Sequence, residues 1–233
     1  MEIKKLFFRV IIDVLISFIT IFSIKAQELP NDFLLRNGEI IVSRCESSGN
    51  KKLAAEVCGV IDIPIEVVWK FISDYNNIPK YAPRLKVVYA VEECVAKELA
   101  ANNSTERSIL ESFSKKYKLK SCLNDTVYLF NVFDMPFPVD DRWCLMEIYR
   151  DSSKYRICRK LITGNMQYTE GMWELKNYNG SKQTLATFSI QTDLGFPLPD
   201  FLINLGLEKM LPDIIERLRQ ETKQAKVECA SLK

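Results

Sequence analysis

Between residues 126 and 194, apolar and polar side chains alternate in short runs, and this period of two predicts strands. The runs "TVYLFNVFDM" (126–135), "RWCLMEIYR" (142–150), "KYRICRKLI" (154–162), "MQYTEGMWELKNY" (166–178) and "KQTLATFSIQTDL" (182–194) are joined by short connections, so neighbours are expected to pair antiparallel as a meander. Asn179-Gly180 marks a tight hairpin between the last two. Earlier, "GEIIVSRCE" (38–46) and "LAAEVCGVID" (53–62) flank "SSGNKK" and predict another hairpin. The period then changes. Pro64 opens "IEVVWKFISDY", where Val67, Val68, Phe71 and Ile72 recur at helical spacing. "NNIPKYAP" follows as a turn or short helix before the β-rich "RLKVVYAVEE". Residues 96–121 are a polar excursion, helical or mobile, whose Lys115, Lys116, Lys118 and Lys120 read first as a solvated loop and second as contacts for anionic headgroups. At the end of the chain, Leu202, Leu205, Met210, Leu211, Ile214, Ile215 and Leu218 form one apolar stripe. It predicts a long helix opened by Pro199 and kinked or restarted at Pro212, which lacks a backbone donor. An apolar helix face after an antiparallel meander needs that sheet to cover it, which gives an α+β fold.

The 233 residues suit one domain with an appendage. Residues 1–26 combine Lys4, Lys5 and Arg9 with an apolar run from Val10 to Ile24 and then Ala26, the order of a secretory signal. Asp13 interrupts the run, and the remaining Val14–Ile24 is long enough for a signal and short for a membrane span. The expectation is export to a periplasm or extracellular space, with residues 27–233 as the working domain and an uncleaved anchor as the second reading. This segment carries four basic and two acidic residues and so accounts for the whole net charge of +2. The rest is formally neutral and has no basic stripe for a phosphate backbone, so nucleic acid is not an expected partner.

The chain contains no histidine. That removes the commonest general base, the base of Ser-His and Cys-His pairs, and the commonest metal ligand. No two of the seven cysteines fall within the C-x-x-C spacing of a zinc knuckle. They are expected to be mostly small buried apolar residues, with Cys144 and Cys158 the pair to test for proximity. No metal, cofactor or catalytic set is expected. Asn102, Asn103, Asn124 and Asn179 begin N-x-[ST] patterns, which would mark surface in a eukaryotic secretory pathway.

Four ordered blocks, "IPIEVVWKFISDYNNIPKYAPRLKVV", "DMPFPVDDRW", "GMWELKNYNGSKQTLATFSIQTD" and "GFPLPDFLINLGLEKMLPDIIERLR", resemble the START and START-like helix-grip superfamily, which includes lipid carriers and polyketide cyclase-like proteins. The resemblance covers roughly residues 38–225. It implies a curved antiparallel sheet wrapped around the terminal helix, with a cavity between them for a sterol, phospholipid or other apolar molecule. Under it, Trp69, Phe130, Phe137, Arg142, Trp143, Trp173, Phe188, Leu202 and Leu205 are the candidate ligand-binding residues. Arg142 matches the family's Asp-Arg step, and Asp140, Asp141 and Glu170 are its candidate partners. Trp143 stands where many relatives have a second acid. Simple packing remains the first expectation for each aromatic taken alone, as a structural ion pair does for Arg142. Two functions stay open. One is non-enzymatic binding, with or without transfer, of a lipid or other hydrophobic molecule by a monomer that touches membranes transiently. The other is a cyclase or dehydratase in which Tyr128, Asp134, Arg142 or Glu170 would move protons.

Overall fold

The structure is a computed structural model that describes residues 32–45, 53–101, 125–137, 139–197 and 199–231. The expected signal or anchor at 1–26 and most of the polar excursion lie outside these residues. No helix among the described residues is long and apolar enough to cross a membrane.

A helical segment, α1 (32–36), precedes strands β1 (Ile41–Arg44) and β2 (Leu53–Ile61). Helix α2 (Ile65–Ser73) follows, then a 3-10 turn (Tyr75–Asn77) and the short α3 (Ile78–Tyr81). Next come β3 (Leu85–Val91), α4 (Glu93–Ala101), β4 (Thr126–Phe133), β5 (Arg142–Asp151), β6 (Arg156–Gly164), β7 (Tyr168–Tyr178) and β8 (Gln183–Asp193). The chain ends with α5 (Asp200–Leu205), a π turn (Gly206–Met210) and α6 (Leu211–Ser231). All pairings are antiparallel, in the order β1-β2-β8-β7-β6-β5-β4-β3. Strands β3 to β8 are the expected meander, and the β1-β2 hairpin joins it through β8.

Strand alternation sorts the side chains onto two faces. The inner face carries Val57, Ile157, Trp173 and Phe188, which form the main core with Val68 and Ile72 of α2 and Ile215 and Leu218 of α6. On the outer face Phe130, Val132, Trp143 and Leu145 form a second cluster with Ala96 of α4. The predicted Trp-rich lining therefore divides between two cores. Pro64 caps α2 without being part of it, and Pro199 does the same for α5.

Two local features let the terminal helix lie on the sheet. At Gly59 a Cβ would come within 2.7 Å of Ile215 Cγ2, and Ile215 is fully buried, so the missing side chain is what admits α6. Arg219 Nε then donates to Val60 O at 2.9 Å. Pro212 is accommodated by widening the preceding turn. Leu211 N–H reaches back five residues to Gly206 O, the π pattern that absorbs a disturbed helical ladder. The regular α-helical ladder therefore resumes at Leu211, beside Pro212, where the sequence predicted a kink or restart.

Cys144 and Cys158 are not neighbours. Cys144 is opposite Gly164, whereas Cys158 is opposite Tyr149; the first is buried and the second exposed, and both are free thiols. Their strands are adjacent, but the register and the alternation of faces separate the two sulfurs.

The contact at Gly59 yields a prediction. Gly59→Ala should destabilise the fold by about 1–3 kcal/mol through overpacking against an Ile215 that has no room to withdraw. Urea unfolding would show it as a lowered midpoint with an unchanged slope.

Candidate ligand cavity

Three structural layers enclose a cavity of about 210 Å³. Its floor is the inner face of the sheet, with Cys144 and Met146 from β5, Arg159 from β6, Gly171 and Trp173 from β7, and Phe188 and Ile190 from β8. The terminal helical region covers it with Leu202, Leu205, Met210 and Ile214. Tyr81 and Ala82 at the end of α3, together with Phe133–Pro136 leading into the Pro-rich turn, close the third side. A smaller space of about 30 Å³ continues under α2 and α3 and shares Tyr81, Arg159 and Trp173 as walls. A larger cleft of about 1110 Å³ lies elsewhere, beside Asn179 and α6, but charged side chains, Arg36, Glu216, Arg219, Lys223 and Lys226, line it. The sheet-and-helix cavity is the one whose walls suit an apolar ligand.

Gly171 explains how a long polar side chain fits on that floor. It is opposite Arg159 across the β6-β7 ladder, and a Cβ there would lie 3.4 Å from Phe188 Cε2 and 3.7 Å from Arg159 Nε. With no side chain at 171, the guanidinium lies over the Phe188 ring, 4.6 Å from its centroid. Phe188 also stacks on Trp173 at 4.9 Å, and Tyr81 meets Trp173 edge-on at 6.0 Å. Burial pulls the Arg159 pKa below its ordinary value, an effect opposed by nearby Tyr81 and Cys144. Burial also pushes the Tyr81 phenol up to about 12 and the Cys144 thiol up to about 12. Both are neutral near pH 7, so neither supplies a base or a nucleophile there.

The rim carries the cavity's other charges. Asp134 pairs with Arg84 at 3.2 Å and Lys86 at 2.9 Å, and Lys86 reaches on to Asp141 at 2.8 Å. The Lys86 hydrogen bond holds the Asp141 carboxyl below its usual range. This Arg84–Asp134–Lys86–Asp141 chain straps the Pro-rich turn to β3, which is why acids flank the two prolines. Arg142 does not use the expected carboxylates. It donates to Asp140 O at 3.3 Å and Asp141 O at 3.4 Å, and its guanidinium lies 5.0 Å from the Phe196 ring centroid.

Of the nine candidate binding residues, Trp173, Phe188, Leu202 and Leu205 line the cavity. The other five are placed elsewhere. Phe130 and Trp143 pack against each other at 5.8 Å on the outer face under α4, because their strand phase is opposite to that of Leu129 and Cys144. Trp69 meets Tyr155 edge-on at 5.6 Å on the main core. Phe137 is 94% exposed at the tip of its turn, and Arg142 is occupied at the turn's base. Among the four candidate proton-moving residues, Asp134 and Glu170 border the cavity, and each has a partner: the rim cations for Asp134 and the Tyr168 hydroxyl for Glu170. Tyr128 lies outside it, with Glu93, Glu147 and Lys97 as its charged neighbours. Among the described residues no three His, Cys, Asp or Glu side chains gather to hold a metal ion.

Arg159, Tyr81 and Cys144 were not singled out as site residues. A signal for Arg159 was present, since it occupies the inward phase of β6 between Ile157 and Leu161. Arg156 and Lys160 in the same run obscured that phase.

A family model for "Polyketide cyclase / dehydrase and lipid transport" matches residues 61–219. A search of curated protein sequences finds no match. Among solved structures, the chain is similar to a STAR-related lipid transfer protein from Xanthomonas axonopodis, with 13% identity and a TM-score of 0.54 over 79% of this chain and 93% of that one. It is similar to a START superfamily protein from Mycobacterium smegmatis, with 12% identity and a TM-score of 0.50 over 81% and 99%. It is also similar to the Zhui aromatase/cyclase from Streptomyces sp. R1128, with 10% identity and a TM-score of 0.50 over 80% and 95%. At these identities the likeness speaks for the fold.

The buried thiol and phenol make the cavity testable without a ligand. Cys144 should resist iodoacetamide in the native protein while exposed Cys45 and Cys158 are alkylated, as read by peptide mass mapping. Stability should also fall as pH rises from about 9 toward 12. In that window the unfolded thiol and phenol ionise at their ordinary 9.0 and 10.0 while the folded groups stay protonated, so the native state binds more protons. Cys144→Ala should flatten the lower part of this decline.

Proposed function

Because the chain belongs to the START-like helix-grip family of polyketide cyclase/dehydrase and lipid-transport proteins, we propose that it binds a hydrophobic small molecule, such as a lipid, without transforming it. The supporting observation is the cavity, whose acid-base groups are each neutral or already partnered. Burial holds Cys144 and Tyr81 in their protonated forms. The rim cations take Asp134, Tyr168 donates to Glu170, and the chain has no histidine. Catalysis by proton transfer needs a group free to gain or lose a proton near the working pH. Apolar walls with a few fixed polar groups are what binding needs.

We place this binding outside the cytoplasm, with residues 1–26 as its signal or anchor, in a monomer that visits membranes only to load and unload. Phe137 and Phe201, 94% and 52% exposed, would be the membrane contacts. Their sequence neighbours Pro136 and Leu202 line the cavity, so insertion of these rings would bring its opening against the bilayer. At about 210 Å³ the cavity is smaller than the roughly 300–1,000 Å³ of drug-sized sites, so a large ligand requires outward movement of α5, with the π turn as the point of flexure.

Native mass spectrometry of detergent-free protein from an exporting host, followed by organic extraction, tests the reading. A discrete, near-stoichiometric apolar mass that returns chemically unchanged is expected. Persistent apo protein after incubation with a lipid mixture, or a chemically altered ligand, would overturn it. Replacing Phe137 and Phe201 together by Ser should weaken liposome binding by about tenfold or more and leave the stoichiometry of bound ligand unchanged.

A further inference from the structure

Arginines packed into this protein usually find an acceptor. Arg142 donates to the Asp140 and Asp141 carbonyls, Arg150 to Ser73 O, and Arg219 to Val60 O. Arg156 pairs with Glu174. Arg159 differs from all of these. Among the described residues it has no hydrogen-bond or ion-pair partner, and its close contact is the face of Phe188. A ring face attracts a cation but offers no lone pair to the five N–H donors of a guanidinium. The groups that influence its charge are the neutral Tyr81 and Cys144. Its half-buried side chain lines both the main cavity and its smaller continuation. Trp173, which shares both spaces, has a buried indole Nε1–H with no acceptor. An indole N–H can only donate. The walls of one apolar cavity therefore carry a buried indole donor with no acceptor, which is costly to leave unpaired, and an accessible guanidinium with no protein acceptor among the described residues.

We infer that the cavity selects an amphipathic monocarboxylate bound head-inward, its carboxylate on Arg159 and its apolar tail running beneath Leu202, Leu205 and Ile214. This inference rests on the binding function proposed above and specifies its ligand class. The valence follows from the charge count. At the edge the two cations Arg84 and Lys86 are matched by the two acids Asp134 and Asp141, so on the cavity floor Arg159 is left to balance a single negative charge. The planar guanidinium fork also matches a carboxylate. A dianionic phosphate monoester would retain an unbalanced charge in an apolar space, which is strongly unfavourable. Size also constrains the ligand: an apolar cavity of about 150 Å³ holds benzene, so about 210 Å³ suits a somewhat larger molecule, with any longer tail leaving by the mouth.

Isothermal titration of the full chain with octanoate and with 1-octanol separates the head from the tail. Wild-type protein should bind octanoate about tenfold or more tightly than 1-octanol, although the carboxylate is the harder group to dehydrate. Arg159→Met keeps the length and apolar packing of the side chain while removing its charge. It should abolish the preference and leave 1-octanol binding intact, which loss of folding would not do. Arg159→Lys should keep a reduced preference, and with the wild-type comparison it decides the matter if the methionine variant does not fold. Equal wild-type affinity for the two probes would refute the anionic head while leaving the apolar cavity standing. A preference that survives in Arg159→Met would remove Arg159 from the role. If neither probe binds, the binding function fails and this inference falls with it.

Discussion

The fold depends on keeping the terminal helix against the concave face of the sheet. Without α6, the inner aromatic floor would face water, and without the sheet the stripe from Leu211 to Leu218 would have nothing to cover it. The two come into close contact at Gly59, where Ile215 fills the space a side chain would need. Ile215 and Leu218 are both fully buried, and burying such a side chain is worth about 1.5–3 kcal/mol. The Arg219 bond to Val60 O fixes the helix along its length as well as in depth. This contact anchors α6 beyond Pro212, and the cavity lies toward the other end, beneath Leu202, Leu205, Met210 and Ile214.

The same division organises the charges. At the rim, Asp134 and Asp141 are held by Arg84 and Lys86, and this strap lets two prolines interrupt the sheet without loosening the connection from β4 to β5. These are exposed or half-exposed pairs, each contributing little alone, and their value lies in fixing a turn. Inside, polar groups are few, and the thiol and phenol beside Arg159 are held neutral by burial. An interior that suppresses ionisation of its own acids while presenting a guanidinium is suited to receiving an acid from outside.

The second core accounts for much of the aromatic content that looked like pocket lining. Phe130, Trp143, Leu145 and Ala96 close the outer face beneath α4, so a sheet strand in this region is apolar on both sides. On such a strand, alternation cannot be read from hydrophobicity, because each phase contains large apolar residues. The site consequently takes its polar group from a less apolar strand, β6, whose "KYRICRKLI" places Arg159 in phase with Ile157 and Leu161.

Local patterning alone determined the order of the strands, α2 and the terminal helix, the antiparallel meander, the Asn179-Gly180 hairpin and the break in the helical ladder beside Pro212, because strand period, turn chemistry and a missing backbone donor are properties of neighbouring residues; α1 and α4 it did not mark. Four ordered blocks were enough to indicate the helix-grip family. Trp173, Phe188, Leu202 and Leu205 were legible as lining for the same reason: they belong to the last sheet segment and to the helix that must cover it. Tertiary structure decided what depends on pairing between distant segments. The register of β5 against β6 put Cys144 and Cys158 on opposite faces, α4 claimed the outer face, and carbonyls and Phe196 took the Arg142 that carboxylates were expected to hold. It also set Gly171 opposite Arg159, twelve residues away in sequence, and so opened the floor to a guanidinium that no local pattern could mark as unpaired.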